Sequence, residues 1–178
     1  MPEWIQSILL PLVLAVFSAV VTVKIENRKT QQEFQNSIKQ KRIDKKFELL
    51  GELYYKATMS VGASSNLFPL MDRLPVDKEE KKNVFLERYK RAAKEYNAFS
   101  TCLIKSSPYI PKDIYEIALK LRQNESYLIF RYEDSHLSGV DYLKIEAEER
   151  KEIRDRVNEC DSLLNRILDE TRTNFDYD

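Results

Sequence analysis

The chain has 178 residues, one third of them charged, with 29 Lys and Arg balancing 29 Asp and Glu. That balance argues against a dedicated nucleic-acid binder, which carries a basic excess, and three glycines leave no phosphate-cradling loop. Many Lys, Glu, Leu, Arg and Ala residues and few turn formers point to an all-α fold.

The first element is apolar. From Trp4 to Val23 there are 20 residues without a charge, about 30 Å of helix and enough to cross a hydrocarbon core. "MPEWIQ" before it lacks the basic start of a secretory signal peptide, and Trp4 suits the interfacial aromatic belt. Residues 1–25 therefore read as one transmembrane helix. Lys24, Arg28, Lys29, Lys39, Lys41, Arg42, Lys45 and Lys46 follow it, and no Lys or Arg precedes it. The positive-inside rule then predicts a single-pass membrane protein with its N-terminus outside and its C-terminal domain cytoplasmic. Cys102 and Cys160 read as free thiols of a reducing compartment.

Residues 26–42 read as a basic stalk helix at the membrane surface, whose cations meet anionic headgroups. From Ile43 the apolar positions tighten to Ile43, Phe47, Leu50, Tyr54, Ala57 and Val61, a heptad seam of coiled-coil type. "GASSNLFPLMDRLPVD" should end this helix at Gly62 and form a capping loop, or else an exposed docking patch. Asp77 and Glu80 have capping-box spacing at the start of the second helix. Its seam is Phe85, Tyr89, Ala92, Tyr96, Phe99 and Leu103.

Pro111 opens a third helix carrying Ile114, Ile117, Ala118, Leu121, Leu128 and Tyr132. "SHLSGVD" is the last turn, with Ser138 or Asp141 as the cap of a fourth helix seamed by Ile153, Val157, Cys160, Leu164 and Ile167. Residues 43–172 thus form an up-down cytoplasmic four-helix bundle, and 173–178 an acidic-aromatic tail. In that topology the tail residues Phe175, Asp176, Tyr177 and Asp178 come near the basic collar. The charges suit such a contact, with a net +5 from Lys24 to Lys46 and −7 from Glu133 to Asp178.

Catalytic chemistry is nearly absent. His136 is the only histidine, which excludes His triads and multi-His metal sites. "YEDSH" gathers Glu133, Asp134 and His136, but without helical ligand spacing, and a solvated loop is the simpler reading. Neither cysteine has a partner motif. The sequence therefore predicts no enzyme, no cofactor and no metal.

The apolar run itself carries a pattern. Ser7, Pro11, Ala15, Ser18, Ala19 and Thr22 form one stripe of small and hydroxyl residues, the kind that lets membrane helices approach closely. The stripe suits self-association and could line a narrow path in a ring. In layout the chain resembles the small membrane effectors of bacterial anti-phage systems. That resemblance implies a bacterial inner membrane, and with the stripe it agrees with a homo-oligomer whose cytoplasmic domain controls assembly or opening of a membrane-disrupting pore. The other reading is a membrane-tethered adaptor or scaffold whose bundle binds a protein partner. The expected partners are the lipid bilayer, further copies of the chain, and a protein or small ligand on the bundle.

Overall fold

The structure, a computed structural model, describes residues 10–69, 74–137 and 147–176. They form four α-helices: α1 (Leu10–Ser65), α2 (Lys78–Ser106), α3 (Lys112–Tyr132) and α4 (Ala147–Asp176). A π-helical turn, Glu133–Leu137, follows α3. No strand occurs among the described residues, as the composition predicts.

The chain divides into two compact units, Met1–Lys45 and Lys46–Asp178. In the first unit, the described side chains of α1 are almost all exposed. Phe17 is 67% exposed, Val23 55% and Phe34 64%; of the described side chains, only Ile38 and Ile43 are half-buried. Among the described residues no helix is long and apolar enough to cross a membrane. Leu10–Val23, the described part of the uncharged run, rises about 21 Å as a helix, short of a ~30 Å hydrocarbon core. Trp4–Leu9 lie outside the described residues.

The second unit is a helical bundle with a single large core. Leu50, Leu53, Ala57 and Val61 of α1 join Phe99 and Leu103 of α2, Ile114, Leu121 and Leu128 of α3, and Ile153, Leu163 and Ile167 of α4. These are the seams read from the sequence, widened by Leu49, Leu53 and Leu163, because a packed helix buries a stripe broader than one heptad line. A smaller cluster joins Ala63, Leu67, Ala92, Ile129 and Tyr132.

Local chemistry explains the ends. Asp77 caps α2, its carboxylate accepting from the Glu79 and Glu80 amides at 2.9 and 3.0 Å. Pro111 sits at the N-cap of α3, where its missing N–H costs nothing. Gly62 does not end α1, which runs on to Ser65. Ala63 and Ser64 face the core, so packing holds the extra turn. In the following loop Leu67 is buried and Phe68 half-buried against both core clusters, the capping role expected of it. Leu70–Arg73 lie outside the described residues, as do Ser138 and Asp141, the expected caps of the fourth helix.

Candidate functional site

The apolar stripe of α3 steps through Ile114, Ile117, Ala118, Leu121, Leu128 and Tyr132, all buried. Continuing that stripe from Leu121 requires inward positions at 124 and 125, and these hold Asn124 and Glu125. Glu125 is completely buried, and neither carboxyl oxygen has a hydrogen-bond partner. Burial pushes its pKa from the ordinary carboxylate value up to about 8. The Ser60 hydroxyl of α1 opposes that rise, although no hydrogen bond of good geometry closes between them. From α4, the buried Cys160 thiol senses Glu125: burial first, then the neighbouring carboxylate, pushes it up to about 12. Burial likewise raises the Cys102 thiol. Both thiols are free and buried, hence poor nucleophiles.

Around this centre, α3 and α4 are joined by a polar ladder. Lys120 pairs with Glu159 at 2.6 Å, and that lysine holds the Glu159 carboxyl below its usual range. One turn on, Arg156 donates to Asn124 Oδ1 at 3.0 Å, pairs with Glu152 and stacks 4.0 Å from the Tyr127 ring centre. Arg131 pairs with Glu149 at the far rung. The charged residues that open α4 therefore divide into two sets. Glu148, Asp155 and their exposed neighbours face solvent, whereas Glu149 and Arg156 are half-buried in the ladder.

A second constellation lies at the π-turn. His136 stacks on Tyr132 at 4.4 Å between ring centres and meets Phe85 edge-on at 4.4 Å. Phe68 packs edge-on against both Tyr132 and His136. Ser135 Oγ lies 2.7 Å from His136 Nδ1, and Tyr89 donates to Glu133 at 3.0 Å. The solvated-loop reading of "YEDSH" is thus corrected. One extra residue per turn carries the helix onward and rolls the imidazole into an aromatic wall. No group of three potential metal ligands gathers among the described residues.

On α1, the other predicted positions fall as follows. Ser18 and Thr22 are exposed, as are Lys24, Arg28, Lys29, Lys39, Lys41, Arg42 and Lys45; Lys46 is half-buried. Pro11, Ala15 and Ala19 lie on α1, their side chains outside the described set, and Ser7 lies outside the described residues. Phe175 and Asp176 close α4, with side chains likewise outside the described set, and Tyr177 and Asp178 lie beyond it. Sequence reasoning missed Glu125, although its phase on the α3 stripe was a usable signal. The ladder had none, since it depends on which helix lies beside α3. No family model, curated protein or solved structure matches the chain.

Proposed function

We propose that the chain is a non-enzymatic single-span membrane protein that self-assembles through its N-terminal helix. Its helical bundle, on the cytoplasmic side, controls assembly or opening of a membrane-disrupting pore. The observation that carries this reading is the apolar surface of α1: among the described residues Phe17, Val21, Val23 and Ile25 are exposed. Such a row calls for lipid or another helix around it. The uncharged run from Trp4, the stripe from Ser7 to Thr22 and the basic collar after Val23 agree with lipid outside and copies within. A lack of turnover agrees with thiols whose pKa is raised and a lone histidine packed in an aromatic wall.

A test of the assembly is the double substitution of Ala15 and Ala19 by Leu. Widening the stripe should abolish oligomers on native gels and any loss of membrane barrier, while leaving the chain in the membrane. A double variant that assembles and permeabilises like the parent removes the stripe from the account. The adaptor reading is favoured by a different observation, the exposed Tyr55, Ile104, Tyr109 and Phe130 of the second unit. In that case the double variant would keep its activity, and Tyr109→Ala or Phe130→Ala would lose it.

A further inference from the structure

Burying a carboxyl among apolar side chains is costly when it is charged and tolerable when it is neutral. Glu125 is in that position within the second unit, and a hydroxyl is the one neighbour that favours its charge. From α1 the facing group is Ser60, whose hydroxyl has no hydrogen-bond partner; Ser64, one turn later, is buried and unpartnered too. From α4 the Cys160 thiol faces it, itself held neutral. Arg156, one turn before Cys160, is occupied by Asn124 and Glu152. α2 contributes the apolar Phe99 and Leu103 to the same core. No Lys, Arg or His among the described residues acts on the Glu125 carboxyl.

We propose that Glu125 is a proton-operated latch on the bundle, neutral when residues 46–65 of α1 are seated on α3 and α4, and ionised when they lift. In the seated state the carboxyl keeps its proton, with the unpartnered Ser60 hydroxyl facing it from α1. Loss of that proton to water leaves a charge with no partner, relieved when α1 moves and water reaches the carboxylate. The inference concerns the second unit alone and does not depend on the membrane reading.

The direction of the pH effect follows from linkage. The seated state binds a proton that the lifted state releases, so opening grows as pH rises from the ordinary carboxylate range to the seated-state value of about 8, then levels. Cys160 is the reporter, being buried beside the latch. The experiment uses the whole 178-residue chain in mild detergent solution with Cys102→Ser, and follows labelling of Cys160 by a methanethiosulfonate reagent. At each pH the rate is divided by that of the same chain unfolded, which removes thiol ionisation.

The normalised rate should climb about tenfold per pH unit between roughly pH 6 and 8 and then flatten. Glu125→Gln, which cannot ionise, should give a flat line. An equal slope in both chains, or a flat line in the parent, overturns the latch. Should the Gln variant not fold, the parent alone decides through its infrared spectrum. A protonated-carboxyl band must be present at about pH 6 and vanish over the interval in which labelling rises. Its absence, or its loss without a rise in labelling, overturns the proposal equally.

Discussion

The two units use the same helical grammar with opposite outcomes. From Leu49 to Val61, every apolar stripe residue of α1 finds neighbours and is largely hidden, with Leu53 and Ala57 fully buried. From Phe17 to Phe34, apolar side chains on the same helix stay exposed. The difference teaches that helix formation and stabilisation are separate questions. Intrahelical hydrogen bonds account for the backbone in both units, but only the second carries its own hydrophobic free energy. Among the described residues of the first unit, the apolar side chains of α1 stay largely exposed.

If that contrast is sound, substitutions of similar chemistry should have very different effects in the two units. Leu128→Ala, which empties part of the closed core, should cost about 2–5 kcal/mol in urea unfolding followed by circular dichroism. Phe34→Ala should leave the same transition within about 0.5 kcal/mol. A large effect at Phe34 would mean that the units share a core.

Glu125 sharpens the comparison from inside the second unit, because it is an ionisable group buried in a largely apolar core. Its pKa is raised on folding, so its contribution is fully present below the unfolded carboxylate value. That contribution is lost as pH rises through about 8, by at most about 5 kcal/mol in all. Glu125→Met should therefore stabilise the unit by about 1–4 kcal/mol at pH 8 and remove most of the decline in stability between pH 5 and 8. An unchanged pH dependence would place the titrating group elsewhere.

Smaller effects belong to the ends and the surface. Asp77→Ala removes the acceptor for two amides at the start of α2 and should cost about 1 kcal/mol, read from the same transition. Lys112→Ala breaks an exposed ion pair with Glu116 and should change stability by less than about 0.5 kcal/mol.

How far the sequence disclosed this arrangement varies by element. The all-helical class, the Asp77 cap and the α3 stripe followed from spacing alone, because helical period and cap chemistry are local. The extra turn beyond Gly62 did not, since burial of Ala63 and Ser64 outweighs the local cost of glycine. The π-turn was hidden for a similar reason: besides the nearby Tyr132, its aromatic wall around His136 comes from Phe85 and Phe68, which lie far away in sequence. The polar pair Asn124–Glu125 was legible by phase, as an interruption of the stripe, but its partners on α1 and α4 were not.

The most direct test of the account is a crosslinking scan of the N-terminal helix in native membranes. Cys102 and Cys160 are first replaced, and single cysteines are then placed at each position from 11 to 25. Self-assembly through the stripe predicts disulfide-linked dimers peaking at positions 15, 18, 19 and 22. A flat, weak profile would contradict it and leave α1 a lipid-bathed anchor.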